Sequence, residues 1–232
     1  MAMKRVSTGI PGFDSLVQGG FKENSTNLVA GGTGAGKTIF AIQFLVNGIK
    51  KGEPGVYITF EERKKKTYDD MKKFGWDLEK YEKQGKFKFL EYTPEQVKKV
   101  LVEGGGIIET IVQKMKAKRI VIDSITSFAL LYEDELTKKE AALALFDLID
   151  RWKCTALLTS QAVERDEETI SAALEFEVDS IVLLYHTRKA GVRQRALEIL
   201  KMRGTKHAGK TFAMSITDEG IRVNVNEIVK YN

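Results

Sequence analysis

The feature that most constrains this chain is a glycine-rich stretch at residues 31–38, Gly-Gly-Thr-Gly-Ala-Gly-Lys-Thr, which fits the pattern G-x-x-x-x-G-K-[ST]. The apolar run Thr26–Ala30 before it is typical of a buried strand, and the stretch Lys37–Lys50 after it is typical of a helix. A strand, a glycine loop and a helix in this order predict a phosphate-binding loop, the P-loop. A glycine-rich turn without a ligand is the less favoured alternative.

The residue types in the loop explain how it would hold phosphates. Glycines let backbone N–H groups approach an anion without a Cβ atom in the way, and the following helix directs its positive end at the same point. Lys37 can reach the β- and γ-phosphates and so counts among the catalytic residues, and the Thr38 hydroxyl can ligate Mg²⁺. The sequence therefore predicts binding of ATP and Mg²⁺. The loop residues assigned to the nucleotide are Gly31, Gly32, Thr33, Gly34, Ala35, Gly36, Lys37 and Thr38.

Apolar runs and helical patterns alternate along most of the chain, which predicts a mostly parallel sheet with helices on both faces. The predicted strands are Gly55–Phe60, Phe87–Tyr92, Arg119–Asp123 and Cys154–Ser160. The predicted helices are Arg63–Phe74, a stretch from Pro94 that is broken at Gly104–Gly106 and resumes over Ile107–Lys116, and Thr137–Trp152, with Thr137 as its N-cap.

The pattern changes after Val178, where short strands follow one another without helices. They are Ser180–His186, Arg195–Met202, Thr211–Ile216 and Ile221–Val225. We expect them to form an antiparallel extension of the parallel core, so that residues 1–232 make a single domain.

Composition excludes several other classes of protein. A single cysteine and two histidines leave no intramolecular disulfide and no Cys- or His-based metal cage. No signal peptide and no long apolar segment is apparent, which predicts a soluble, cytoplasmic protein without a membrane span. The net charge of +5 is small for so many charged residues, and the basic and acidic residues are interleaved. A solvated surface is therefore favoured over a nucleic-acid footprint.

A P-loop needs a second acid at the end of a buried strand to organise Mg²⁺, and Asp123 is in that position. Ser124 follows it, where several groups of ATPases carry the carboxylate that activates water. The replacement must come from elsewhere, and Glu61 and Glu62 end the strand Gly55–Phe60 at the same edge of the sheet. One of them, with Glu61 slightly favoured, is predicted to be the catalytic base. The alternative is that both only stabilise the start of the next helix.

Gln161 ends the strand Cys154–Ser160, also at the carboxyl edge of the predicted sheet. An amide there could sense the γ-phosphate, although a polar residue at a strand end is also common without any function.

These motifs taken together resemble the KaiC-like branch of the RecA-like ATPases. Few asparagines and glutamines and a charge-rich surface further suggest a thermophilic or archaeal, single-domain member. The resemblance covers nearly the whole chain, and the motifs occur in the family's order. Besides the P-loop they are Thr8–Asp14 with Gly19-Gly20, Phe60-Glu61-Glu62, Phe74–Leu78, Ile122-Asp123-Ser124 and Lys201–Thr205 with His207.

The resemblance implies a RecA-like fold, a hexameric ring and ATP between neighbouring subunits. It also implies that residues 201–207 reach into the neighbour's nucleotide site. Lys201 and Arg203 would alternate along one strand and act there as cations in trans, whereas surface charge on an edge strand is the alternative. This strand is expected to lie too far from the chain's own P-loop to act on it. The residues that the resemblance assigns to the nucleotide are Lys201, Met202, Arg203, Thr205, His207, Thr217 and Asp218.

Two departures limit the resemblance. KaiC carries two such domains in tandem, whereas one is predicted here, and Glu23-Asn24-Ser25 replaces the usual turn before the first core strand. Against a recombinase, no N-terminal DNA-binding domain is apparent, and residues 162–168 are acidic where a DNA-contacting loop would be basic.

Three functions follow, in order of preference. The first is a slow, oligomeric regulatory ATPase with a protein partner that the residues do not identify. The second is a recombinase-like DNA-binding ATPase, and the third is a nucleotide-gated binding module with negligible turnover. Self-phosphorylation is left open.

Overall fold

A computed structural model describes residues 3–93, 95–96, 99–100, 106–129, 131–132, 134–161, 177–189 and 191–229. Most of the helix predicted between Pro94 and Gly105 lies outside the described residues. The acidic stretch at residues 162–168, which argued against DNA binding, also lies outside them.

A nine-stranded sheet forms the centre of the described structure. Its strands are β3 (Thr26–Gly31), β4 (Gly55–Thr59), β5 (Phe87–Glu91), β6 (Arg119–Asp123), β7 (Thr155–Gln161), β8 (Ser180–Lys189), β9 (Val192–Met202), β10 (Thr211–Thr217) and β11 (Gly220–Ile228). Their spatial order is β11-β10-β9-β8-β3-β7-β6-β4-β5. Two short strands, β1 (Arg5–Val6) and β2 (Phe21–Lys22), pair antiparallel in a separate sheet.

The sheet is parallel from β5 across to β8 and antiparallel from β8 to β11. The predicted fold class is therefore confirmed. The boundary lies one strand later than expected, because β8 pairs parallel with β3 and belongs to the core.

Helices cover both faces of the sheet, as the alternating pattern predicts. They are α1 (Phe13–Leu16), α2 (Lys37–Lys50), α3 (Lys64–Lys72), α4 (Leu78–Lys83), α5 (Gly106–Met115), α6 (Ile125–Ala129) and α7 (Glu135–Trp152). Successive residues of a strand face opposite sides, so Tyr57 joins the core under α2 while Ile58 joins the core under α5 and α7. Within the described residues, no helix combines the length and apolar character needed to cross a membrane.

The start of α7 differs from the prediction. Thr137 is not its N-cap, because Asp134 occupies that position and accepts hydrogen bonds from the backbone N–H of Thr137 at 2.8 Å and from its hydroxyl at 2.5 Å. An N-cap side chain accepts from the backbone two or three residues later, so the threonine is the donor in this cap.

The N-terminal stretch Thr8–Asp14 ties the beginning of the described chain to its last strand. Gln43 of α2 donates to the carbonyls of Gly9 at 2.9 Å and Ile221 at 3.1 Å, and accepts from the N–H of Ile221 at 2.7 Å. Gly12 has φ +87, and a Cβ atom on it would lie 2.1 Å from the carbonyl oxygen of Val223. This family motif therefore has a structural role in closing the fold.

Arg119, the first residue of β6, is buried at the amino edge of the sheet with 1% of its surface exposed. Its guanidinium donates to Glu53 at 2.8 and 2.5 Å and to the carbonyls of Ser7 at 2.9 Å and Phe44 at 2.7 Å. It also lies 4.5 Å from the centre of the Phe44 ring. One side chain thus joins the N-terminal segment, α2 and the strand.

We expect Arg119→Met to lower the free energy of unfolding by about 3 kcal/mol, because it leaves Glu53 and two carbonyl groups without their charged donor. Urea unfolding measures the change. Lys118→Met is the matched control, since Lys118 is exposed at the preceding position. Equal stability of the two variants would contradict a stabilising role for the Arg119 contacts.

Candidate functional site

The P-loop lies at the carboxyl edge of the sheet, between the end of β3 at Gly31 and the start of α2 at Lys37. Gly34 has φ +76 and Gly36 has φ +106, conformations that residues with a Cβ atom rarely adopt. The glycines at these two positions therefore let the backbone curl into the loop. This is the strand–loop–helix unit that the sequence predicts.

Lys37 folds back over this loop. Its Nζ donates to the carbonyl oxygens of Gly31 at 2.8 Å and Gly32 at 3.0 Å. Burial lowers the pKa of Lys37, and the nearby carboxylates of Asp123 and Glu61 oppose that shift. The ammonium group is therefore held by weak neutral acceptors beside the loop, where an anion would be a stronger partner.

Asp123 is buried at the end of β6 and accepts hydrogen bonds from three elements. Oδ2 accepts from the Thr38 hydroxyl at 2.9 Å and from the Tyr57 hydroxyl at 2.6 Å, and Oδ1 accepts from the Thr159 hydroxyl at 2.5 Å. The structure thus brings together Thr38 and Asp123, which the sequence predicted as metal ligands.

The donor atoms here suit Mg²⁺, which prefers hard oxygen ligands and retains several waters. The Thr38 hydroxyl and the Asp123 carboxylate supply two such oxygens, and phosphate oxygens and water would complete the shell. Among the described residues, no group of three or more His, Cys, Asp or Glu side chains is placed so that it could hold a metal ion. A cage built from protein ligands alone is accordingly not present in that part of the chain.

Glu61 and Glu62 follow β4 at the same edge but point to different partners. The Glu61 carboxylate accepts from the Ser124 hydroxyl at 3.2 Å and from the Ser127 hydroxyl, both just beyond Asp123. Glu62 instead lies 3.8 Å from the ammonium of Lys66 on α3, with 38% of its side chain exposed. The Glu61 residue is exposed and accepts hydrogen bonds from the segment after β6, while burial, Asp123 and both glutamates raise the pKa of the Tyr57 hydroxyl.

Gln161 is the last residue of β7, directly across from Gly31 in the parallel register. Its backbone N–H donates to the Thr126 hydroxyl at 2.8 Å, and the residue is exposed. The amide side chain therefore lies at the edge where the P-loop begins.

The residues predicted to act in trans lie away from the chain's own P-loop. Lys201 pairs with Ile181, which pairs with Leu28, so it lies two strands across from β3 and about 10 Å before Gly31 along the strand direction. β9 ends at Met202, and Arg203 lies in the following turn. The expected alternation of Lys201 and Arg203 along one strand is therefore wrong, because the strand ends between them.

The remaining residues of this segment follow the turn. The Thr205 hydroxyl accepts from the Arg5 guanidinium at 2.7 Å, which anchors the segment to β1. Nδ1 of His207 is buried without a hydrogen-bond partner among the described residues.

Thr217 and Asp218 lie at the tight turn between β10 and β11, where the Thr217 hydroxyl donates to the Gly220 carbonyl at 3.0 Å. The neighbouring Ile216 packs against the P-loop, since its Cδ1 would lie 3.3 Å from a Cβ atom on Gly36. This turn therefore borders the chain's own loop, unlike residues 201–207.

The sequence reasoning missed the side chains that hold the site in place. Tyr57 and Thr159 bind Asp123, while His186 of β8 and Arg195 of β9 contact the backbone of the P-loop. The only available signal was a polar residue in an otherwise apolar strand, as for Tyr57 and Thr159.

A parallel sheet with this loop after its central strand, and with a buried carboxylate beside the loop's threonine, defines a P-loop protein with a RecA-like fold. A family model described as "ATPase: KaiC" matches residues 6–228. The chain therefore belongs to the KaiC ATPase family, which carries an ATP-binding domain, and the resemblance found in the sequence is confirmed.

Individual relatives agree with this assignment. The chain is 36% identical over 225 residues to circadian clock protein KaiC3 of Synechocystis sp., covering 94% of this chain and 45% of that protein. It is 35% identical over 242 residues to a UPF0273 protein of Thermotoga maritima, covering 97% and 98%. The crystal structure of a KaiC-like protein from Pyrococcus horikoshii OT3 superposes with a TM-score of 0.86 at 39% identity, covering 96% of this chain and all of that one. The chain thus spans about half of the cyanobacterial relative and nearly all of the Thermotoga protein.

Proposed function

We propose that this chain is a single-domain, Mg²⁺-dependent ATPase of slow turnover that works as a cytoplasmic oligomeric ring, with ATP at the junctions between subunits. The observation that carries the proposal is the convergence of Thr38, Asp123 and Glu61 beside the P-loop, through hydrogen bonds from separate elements. Phosphate, metal and attacking water would each have a protein group at one edge of the sheet.

Lys37 would bind the β- and γ-phosphates of ATP. Its ammonium donates to two carbonyls of the loop, and these neutral acceptors are weaker than phosphate oxygens. Rotating Lys37 onto the phosphates exchanges weak partners for charged ones.

Thr38 and Asp123 would hold Mg²⁺, which when bound neutralises charge on the phosphate oxygens. The Tyr57 and Thr159 hydroxyls keep the carboxylate of Asp123 in one orientation, because each donates to it from a buried strand. These two hydrogen bonds would hold the metal ligand in place.

Glu61 would orient the attacking water and accept its proton. The hydroxyls of Ser124 and Ser127 hold its carboxylate towards the metal side of the site. The absence of an acid after Asp123 is thereby compensated, since Ser124 positions the base supplied by β4. Gln161 would contact the γ-phosphate from β7 and report whether it has left.

A neighbouring subunit would complete the site with Lys201, Met202, Arg203, Thr205 and His207. Lys201 is set back along the sheet from its own loop, and Arg5 anchors Thr205 while Arg203 is exposed and Met202 is buried in the core. Head-to-tail contacts of this kind close into a ring when the rotation allows it. A cation supplied in trans can raise the rate of phosphoryl transfer by several powers of ten. Thr217 and Asp218 would border the nucleotide from the chain's own side.

Mixing two inactive variants tests the proposal. Lys37→Ala should lose ATP binding and Arg203→Ala should lose the cation in trans, so each alone is expected to lose nearly all hydrolysis. Mixed rings contain some junctions with an intact P-loop facing an intact Arg203. We therefore expect part of the phosphate release to return on mixing.

The control mixes Arg203→Ala with the double variant Lys37→Ala/Arg203→Ala, which cannot form an intact junction. Native mass measurement, with and without ATP, establishes that mixed assemblies form. Mixed assemblies without any recovered hydrolysis would contradict the role of Arg203 in trans.

A further inference from the structure

The outer side of the P-loop rests on the hairpin of β8 and β9. His186 and Arg195 are directly paired across these two strands, so their side chains lie on one face. Nε of Arg195 donates to the carbonyl of Gly34 at 3.1 Å, and Nδ1 of His186 lies 3.5 Å from the carbonyl oxygen of Thr33. The two side chains thus meet two successive peptide groups at the tip of the loop.

The fit of this pair to the loop is close. A Cβ atom on Gly34 would lie 3.1 Å from Nδ1 of His186, so the imidazole packs directly against that glycine. The position of His186 is itself supported, because Arg193 donates to its carbonyl oxygen at 3.2 Å. Neither His186 nor Arg195 belongs to the motifs that define the family in the sequence.

The contacts with the two carbonyls also orient the N–H groups of the same peptides. In a trans peptide the C=O and N–H groups point in opposite directions, so fixing a carbonyl also fixes the direction of the next N–H group. Holding the carbonyls of Thr33 and Gly34 on the hairpin directs the N–H groups of Gly34 and Ala35 away from it. The N–H of Ala35 makes only a 3.3 Å contact with the Gly32 carbonyl, and it can exchange this partner for a phosphate oxygen.

We infer that His186 and Arg195 are positioning residues for phosphate binding, which hold the tip of the P-loop so that its N–H groups face the nucleotide. The inference rests on the proposed function, because it concerns how the same loop holds ATP. Arg195 also brings a positive charge behind the loop, which favours an anion in front of it. Neither residue needs to touch the nucleotide.

The test compares the affinities of Arg195→Ala and wild type for ATP and for inorganic tripolyphosphate, with thermal melting in parallel. Losing a hydrogen bond from a charged donor is expected to weaken both ligands by about tenfold. Equal losses for both ligands identify the phosphates as the affected part. Arg195→Lys keeps a cationic donor and should recover part of the affinity, which loss of packing alone would not explain.

Arg222→Ala is the matched control, since it removes an exposed arginine from β11, where Ile221 rather than Arg222 packs on the loop. His186→Ala should weaken both ligands less than Arg195→Ala, because its contact with Thr33 is longer. If Arg195→Ala has a lowered melting temperature, the affinities of Arg195→Lys and His186→Ala for the two ligands still test the inference.

If the wild-type protein binds ATP and the Arg195 and His186 variants bind it with unchanged affinity, the inference is overturned and the proposed function is not. Wild-type protein that binds neither ligand would instead overturn the proposed function. A loss for ATP without a loss for tripolyphosphate would place the effect outside the phosphate-binding loop and would also overturn the inference.

Discussion

Glu61→Gln is expected to lower the rate of ATP hydrolysis by about 100-fold or more, while ATP affinity changes by less than about threefold. A positioned general base contributes roughly 10² to 10⁴ in rate, and glutamine keeps the size of the side chain without its capacity to accept a proton. The serine hydroxyls of Ser124 and Ser127 can still donate to the amide oxygen, so the side chain should stay in place. Single-turnover phosphate release and nucleotide binding measure the two effects separately.

Glu62→Gln is the matched control, because it makes the same change one residue later. Glu62 faces Lys66 on α3 and solvent, so its loss should alter hydrolysis by less than about twofold. The reverse result, with Glu62 essential and Glu61 dispensable, would overturn the assignment of the base. Wild-type protein that retains ATP without releasing phosphate would favour the nucleotide-gated binding module.

Lys37→Ala is expected to weaken ATP binding by about 100-fold or more and to leave the melting temperature nearly unchanged. An ammonium about 4 Å from a phosphate charge contributes on the order of 4 kcal/mol at the effective dielectric constant of a protein surface. The effect on the fold should be small for a separate reason. Burial lowers the pKa of Lys37, so its charged form is less favourable in the folded state than in the unfolded chain.

The lowered pKa of Lys37 determines whether its charge stabilises or destabilises the folded protein. A lysine whose pKa is lowered on folding detracts from stability at neutral pH, where it is charged, so removing it should not destabilise the protein. Lys50→Ala, at the exposed end of the same helix, controls for the loss of one positive charge. Calorimetric ATP binding and thermal melting are measured on all three proteins. Unchanged affinity in Lys37→Ala would contradict the assignment of the P-loop.

The fold was predictable because its signals are local. The glycine loop lies between an apolar strand and a helix, and Asp123 directly ends an apolar run, so both could be found without knowing the strand order. The alternation of elements then predicts the parallel sheet. The N-cap of α7 was predicted wrongly although it is also a local feature. Asp134 and Thr137 are both good capping residues, and only the geometry shows which one accepts the hydrogen bond.

The supports of the site could not be predicted because they join distant parts of the chain. Thr159 meets Asp123 only because β7 lies beside β6, and Arg195 meets Gly34 only because β9 pairs with β8, which lies beside β3. The sequence favours Glu61 over Glu62 only slightly, and the partners that distinguish them, Ser124 and Ser127, lie more than sixty residues later in the chain. Strand order and register are properties of the whole sheet.

Strand β9 contacts the P-loop near one end and leads into the trans-acting segment at the other. Arg195 touches the loop of its own subunit, and Lys201 lies six residues further along, about 20 Å away. Pairing with β8, and with β10 over residues 195–198, holds the strand in the sheet over this length. In the proposed ring each subunit would therefore place one continuous strand between two consecutive ATP sites, a connection through which binding at one site could change the affinity of the next.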